Sequence, residues 1–281
     1  MNSAITKLQG RSSMKTLKGY FQIVLLPIVS MFIVERTLAE NVPEMVADRP
    51  DQANSPVTVL PRVLQVETGV LYTEEDEGEE RSRTLAVAQT LIRTGLSGRI
   101  EFRLSFDGYI SEDVEDEDGL GDSAIGFKIN LLKESGVRPE VGLLASLTLP
   151  TGENAFSSER KDPSFQFLFS NTLTDRISIG YNMGMAWETV EDKSGGGRDT
   201  LSSFQYAVSI GLGITDRLGA FVESFGNVPM SANGNPAHSF DTGLTYQARN
   251  NLQLDASSGV GLSDDADDWF VGAGISFASP F

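Results

Sequence analysis

Side chains suited to acid–base or nucleophilic chemistry are few in this sequence. There is one histidine, His238, and no cysteine, against 39 Asp and Glu and 22 Lys and Arg. A hydrolase needs a nucleophile such as serine within hydrogen-bond reach of a base. Ser239 follows His238 directly. Neighbouring residues of a strand point to opposite faces, so these two cannot form a dyad on one strand. Neither His-x-Ser nor a Gly-x-Ser-x-Gly elbow occurs. Gly195-Gly196-Gly197 lacks the Lys-Ser/Thr that would complete a phosphate cradle. Without cysteine there is no thiol nucleophile, no disulfide framework and no Cys-ligated metal. The chain is therefore expected to be no enzyme and to need no cofactor.

What remains is charge set in alternating segments. Their polar parity carries Glu67, Glu101, Asp107, Asp122, Glu140, Glu188, Glu223, Asp241 and Asp255, with Arg93, Arg103 and Lys128, and Arg138 shares it. If the segments are strands of a membrane barrel, these residues line the lumen. Charges inside a membrane domain face water or one another. One outcome is a ladder of ion pairs propping a narrow barrel; the other is a pore whose acid excess favours cations. Arg93 and Arg103, on adjacent strands near Glu101 and Glu67, read as structural. Leu144, Leu168, Phe221, Phe225 and Phe270 have the same parity. They would pack against an inward-folded loop or give an apolar ligand a path.

The elements that must position these residues are strands. Residues 269–281 read W-F-V-G-A-G-I-S-F-A-S-P-F, with Trp269, Val271, Ala273, Ile275 and Phe277 on one face and small residues on the other. A period of two signals a strand with one apolar face. The stretches 177–187, 204–214 and 252–262 alternate in the same way, as do stretches opening at 100 and 165. Each runs about 9–11 residues, the length of a tilted transmembrane strand. Short breaks fall at 97–98, 134–136, 174–175, 215–216 and 249–250. Long ones fall at 73–82, 110–119, 150–163, 188–200, 226–236 and 263–268. Short periplasmic turns alternating with long outer loops are expected of an outer-membrane barrel. The predicted fold is all-β: a transmembrane antiparallel up-and-down β-barrel of about twelve strands over residues 60–281. Tyr72, Trp187, Phe204, Phe240 and Trp269 would form the outer aromatic girdle, Phe277 and Phe281 the inner one. A hydrophobic content of 40% fits a barrel, which is apolar on only one face of each strand.

Lys7, Arg11, Lys15 and Lys18 precede an apolar run at 20–34, and Thr37-Leu38-Ala39 offers a cleavage site. Residues 1–39 thus read as a secretory signal peptide, and 40–59 as a flexible lead-in. Net charge is −17, much of it in two runs at 74–80 and 112–118. Such a chain should avoid nucleic acid. The runs read as solvated outer loops. Their carboxylates would also suit divalent cations bridging to lipopolysaccharide, though no EF-hand spacing marks a metal site. Expected partners are outer-membrane lipid and lipopolysaccharide, the barrel-assembly machinery through Phe281, and a small solute.

Gly119-Leu120-Gly121-Asp122-Ser123-Ala124-Ile125-Gly126-Phe127-Lys128 resembles the G-x-G-D…G-x-K strand of the outer-membrane transporters of the MetA pathway of phenol degradation. Residues 143–152, L-L-A-S-L-T-L-P-T-G, resemble that family's strand closed by Leu-Pro-Thr-Gly. Arg93-Thr94-Gly95-Leu96 and Leu173-Thr174-Asp175-Arg176 are similar to further strand ends. The resemblance spans residues 60–281. It implies a bacterial outer-membrane barrel importing small hydrophobic or aromatic compounds, with no catalytic residues. The alternative is a non-conducting structural or surface-interaction barrel whose acidic outer loops bind cations.

Overall fold

The computed structural model describes residues 45–76, 81–114, 116–191, 197–230 and 234–281. The expected signal peptide, residues 1–39, and Gly195-Gly196 lie outside the described residues. The strands are β1 (Val63–Asp76), β2 (Arg81–Ser97), β3 (Ile100–Phe106), β4 (Tyr109–Glu112), β5 (Glu117–Leu120), β6 (Ser123–Leu132), β7 (Glu140–Leu149), β8 (Asp162–Thr174), β9 (Ile177–Glu191), β10 (Arg198–Gly213), β11 (Leu218–Pro229), β12 (Ala237–Arg249), β13 (Leu252–Gly261) and β14 (Trp269–Pro280). All pairings between them are antiparallel. β1 pairs with β2 on one side and β14 on the other, so the sheet closes. β3 and β4 lie in sequence along β2, and β6 and β5 lie opposite them. Each pair of segments is one stave, which makes a twelve-stave barrel.

The interruption in those staves has a local cause. Gly69 faces Gln89 and Val70 faces Val87, which leaves Ala88 as an extra residue, at φ 60°. A bulge of this kind kinks its strand and tightens the twist. Gly108 answers it across the pair at φ 83°, where a Cβ would meet the backbone of β2. Side chains set the short turns. Thr174 Oγ1 accepts the N–H groups of Arg176 and Ile177, and Thr215 Oγ1 accepts those of Arg217 and Leu218. These Thr-Asp breaks hold the chain by side-chain-to-backbone bonds where ladder pairing ends.

The outer loops are shorter than the sequence suggests. β1 runs to Asp76 and β2 starts at Arg81, while β9 and β10 leave only residues 192–197 between them. Arg81 pairs with Glu74 and Asp76, and Arg83 with Glu74 and Asp113. These partners offset repulsion among the first acidic run's described carboxylates, and the hairpin extends through them.

Burial is inverted relative to a soluble protein. Val70, Phe127, Phe167, Val208, Ile210, Val222, Leu244, Leu254 and Val271 are exposed on the outside, where lipid covers them. The most buried side chains are polar and point inward: Glu67, Arg93, Glu101, Lys128, Glu223 and Asp241 are each at most 1% exposed. An empty lumen would leave them wet. Residues 45–60 fill it, which corrects the expectation of a flexible lead-in there.

Candidate functional site

The segment enters at the short-turn end, where the Met45 N–H donates to the Asn250 carbonyl of the β12–β13 turn. It rises past β1 and β13, crosses to β11, β9 and β8, and descends along β6, β3 and β2. It rejoins the wall where Pro61 bridges Gly95. A Cβ on Gly95 would strike the backbone of Val59 and Leu60, so the segment needs glycine on β2 to lie that close. Gly69 and Gly274 serve similarly on β1 and β14, where the Arg49 guanidinium lies over both.

One wall holds the segment with charge of both signs. Register places Arg93, Arg103, Glu101 and Lys128 side by side on β2, β3 and β6, with Glu67 two residues along β1 from Arg93's partner Gln65. Arg93 reaches Glu67 at 2.7 Å and Glu101 at 2.8 Å. Asp48, from the segment, receives Lys128 at 2.8 Å, Arg93 at 3.5 Å and also Arg103. Burial pushes the Asp48 carboxyl up, but Arg93, Lys128 and Arg103 outweigh it and hold the group well below the usual carboxylate range. The spare carboxylate oxygens bind the segment's backbone. Glu67 accepts the N–H groups of Asp48 and Arg49, and Glu101 accepts that of Val59. Asn130 donates to the Pro56 carbonyl.

The opposite wall holds it with carboxylates and amides and, among the described residues, no cation. Glu223 accepts the Gln52 N–H at 2.6 Å and the Ala53 N–H at 2.7 Å. Asp241 is its cross-strand partner. Asp51 stands nearby, and burial, then the Glu223 carboxylate, hold its carboxyl well above the usual range. Arg49 is engaged elsewhere, with Asp255 at 3.2 Å. Asn182 donates to the Asn54 carbonyl, and Asn54 to Gln166.

The remaining expected lumen residues divide. Asp122 does not join the ion-pair ladder. Its Oδ1 accepts the N–H groups of Thr151 and Gly152, and its Oδ2 that of Ser158. The G-x-G-D and L-P-T-G motifs therefore meet at the outer rim, with Gly152 packed on Gly121 where no side chain fits. Asp107 is exposed at the β3–β4 junction and packs on Gly121. Glu140 binds Lys133 and Asn130 near the short turns, and Glu188 stands beside Asp162 towards the outer end. Arg138, expected inward by parity, is exposed in the β6–β7 turn.

Sequence reasoning missed Asp48, Gln52, Ala53, Asn54 and Val59. A signal existed: Arg93, Arg103 and Lys128 outnumber Glu67 and Glu101 on their wall. A buried cation needs a partner, and Asp48 is the missing carboxylate.

Two cavities lie on the outer side of the segment and share Gln166. One, about 240 Å³, is bounded by Asn54, Leu91, Arg103, Leu144 and Ser164 among others. The other, about 310 Å³, is bounded by Gln52, Gln205, Phe225, Asn227, Ser239 and the inward loop at 265–267. Both combine amides with apolar surface. On the lipid face, His238 Nδ1 meets the Tyr206 hydroxyl at 3.0 Å across Gly226, while Ser239 is buried on the lumen side. Among the described residues no group of three His, Asp or Glu is arranged to hold a metal ion.

The structure is similar to an outer membrane channel from Pseudomonas putida F1, at 14% identity and TM-score 0.63, over 83% of this chain and all of that one. It is also similar to the NanC porin, at 12% identity and TM-score 0.52, over 76% of this chain and 98% of that one. At these identities the likeness establishes the fold, an outer-membrane barrel. No curated protein matches in sequence. The family model described as "Putative MetA-pathway of phenol degradation" matches residues 47–278, from the lumenal segment through the closing strand, and the chain belongs to that family.

Proposed function

We propose that this barrel is an outer-membrane channel for small solutes of apolar or aromatic character, and that it does no covalent chemistry. The observation that carries the reading is the pair of outer cavities, each with room for a small ring and lined by both amides and apolar side chains. His238 supports the absence of catalysis, since it is bonded to Tyr206 and separated from Ser239 by the wall. The acid excess on the β11–β12 side favours cations among charged solutes. Phe281, 77% exposed with its N–H on the Arg62 carbonyl, suits a signal read during assembly and an interfacial anchor.

Planar-bilayer recording of the refolded barrel, with reversal potentials in salt gradients, tests this together with uptake of a small aromatic solute into vesicles. Small conductance, cation preference and aromatic uptake are expected. A barrel that neither conducts nor takes up solute overturns the reading. The filled lumen would then favour a non-conducting barrel acting through its acidic outer loops on cations or lipopolysaccharide. Deleting residues 74–80 and 112–118 should in that case abolish envelope phenotypes and leave uptake unchanged.

A further inference from the structure

Glu223 and Asp241 are directly opposed on β11 and β12, where facing side chains of an antiparallel pair have Cβ atoms about 4.5–5.5 Å apart. Each is 1% exposed. Neither oxygen of Asp241 has a donor from the protein. The groups facing the pair do not help. β10 presents Ser209 and β13 presents Gly259. The lumenal segment presents the N–H groups of Gln52 and Ala53 to Glu223, and brings a further buried carboxyl group, Asp51, with Asp48 behind it, and no cation. Arg49 is on Asp255, and Arg93, Arg103 and Lys128 are committed to Glu67, Glu101 and Asp48.

The surroundings are apolar above and below. Phe225 and Phe270 meet edge-on, 6.2 Å apart, across the barrel's inner face. Gly259 leaves the space in which Asp241 and the Phe270 ring lie, and Gly243 leaves that of Phe221. Two anions in contact, dry and without a cation, repel strongly. A carboxyl group that keeps its proton becomes the missing donor.

We infer that Asp241 and Glu223 share one proton, and that this proton clamps the Gln52–Ala53 turn to the β11–β12 wall. Asp241 donates to Glu223, and Glu223 keeps its two backbone N–H bonds. Removing the proton sets Asp241, Glu223 and Asp51 against one another. Because Asp51 belongs to the segment, the segment is what moves away. The opposite wall, with its cations paired, keeps its hold. The clamp therefore opens with rising pH on one side of the lumen only.

Infrared spectroscopy of the refolded barrel, from about pH 6 to about pH 10, reads the proton directly. A protonated-carboxyl stretch should fade as pH rises, and Asp241→Asn should remove a component of it that Asp51→Asn, which takes out the other buried carboxyl of raised pKa, leaves in place. Amide hydrogen exchange on the same protein, corrected for the intrinsic pH effect, reads the clamp. Protection at Gln52 and Ala53 should fall about tenfold or more over this range while Asp48 and Arg49 keep theirs, and Asp241→Asn, whose amide can donate to Glu223, should hold it throughout. The proposal is overturned by absence of the carboxyl band in the wild type. Equal loss of protection at both places also overturns it, as does loss that follows added sodium or potassium at fixed pH. If Asp241→Asn fails to fold, the wild-type spectra and exchange still decide.

Discussion

The two walls that grip the lumenal segment use the same kind of contact in opposite electrostatic settings. On each, a carboxylate from a strand accepts backbone N–H groups of residues 45–60: Glu67 and Glu101 on one, Glu223 on the other. Behind Glu67 and Glu101 stand Arg93, Arg103 and Lys128; behind Glu223 stands another acid, Asp241. The first arrangement is a closed set of paired charges, costly to build and costlier to break. The second is unbalanced, and its hold depends on protonation. One segment thus has a fixed attachment and a conditional one.

The largest effect should come from breaking the paired wall. Arg93→Ala strands Glu67 and Glu101 in a buried site and takes one partner from Asp48, a loss of about 3–5 kcal/mol. Heat-dependent mobility of the folded barrel on gels should shift sharply to lower temperature. Conductance of whatever refolds should rise, since the segment loses its main anchor. An unchanged melting profile would mean that the network props nothing.

Glu223→Ala should cost less. Two buried N–H groups lose their acceptor, at about 1–3 kcal/mol each by the usual cost of such groups. Part of that is returned, because Asp241 no longer faces a second carboxylate. Urea titrations of both variants side by side would measure the difference between the walls. Replacing Glu223 and Asp241 together by leucines should still leave the Gln52 and Ala53 N–H groups without an acceptor, so it should cost about as much as Glu223→Ala, less what apolar contact near Phe221, Phe225 and Phe270 returns.

Acid and alkali should separate the walls further. Asp48 sits below its unfolded pKa of about 3.9, so its contribution is complete above that pH and drains away as pH falls through the folded value. Asp51 is shifted the other way, so its stability term is complete below about 3.9 and lost as pH rises towards the folded value. Melting of wild type against Asp48→Asn should show a difference that is full at neutral pH and closes as pH falls below about 3.9, and against Asp51→Asn a difference that is absent below about 3.9 and opens as pH rises. At neutral pH, therefore, Asp48→Asn should weaken the fixed wall and Asp51→Asn should stabilise.

The barrel was legible because strand alternation is local. Parity alone placed Glu67, Arg93, Glu101, Arg103, Lys128, Glu223, Asp241 and Asp255 inside, and the Thr-Asp and Arg-Asn breaks marked turns whose side chains bind their own backbone. The lumenal segment was not legible because it forms no ladder. Many of its backbone groups are satisfied by residues far along the chain: Glu67 lies 18 positions from Arg49, Glu223 171 from Gln52 and Gln253 204 from Arg49. Prolines 50, 56 and 61 and the polar residues between them look the same in such a chain as in a free tail. Asp122 failed for another reason. Parity gave its direction correctly, but at the rim the nearest unsatisfied groups are loop N–H donors rather than cations.

That rim gives a smaller prediction. Asp122→Ala leaves three N–H groups of the 151–158 loop without their acceptor, near solvent that can replace it, so the global cost should stay near 1 kcal/mol. The local cost should be larger. Limited proteolysis of intact cells or vesicles should cut variant barrels within residues 153–161 well before wild type. The G-x-G-D and L-P-T-G motifs would then be a clasp on an outer loop, independent of the lumenal grip.

The smallest effect should come from the one histidine. His238 lies outside the wall, over Gly226, and its removal frees only the Tyr206 hydroxyl, in the interfacial zone where water or lipid headgroups can replace the bond. His238→Ala should change stability by less than about 0.5–1 kcal/mol and leave solute uptake as it was. It should also leave unchanged any trace of lipid hydrolysis in purified barrel, because Ser239 faces the lumen and cannot be its nucleophile. Loss of a hydrolytic activity in this variant would reverse the ranking, making the lipid-facing pair the functional site and the filled lumen its scaffold.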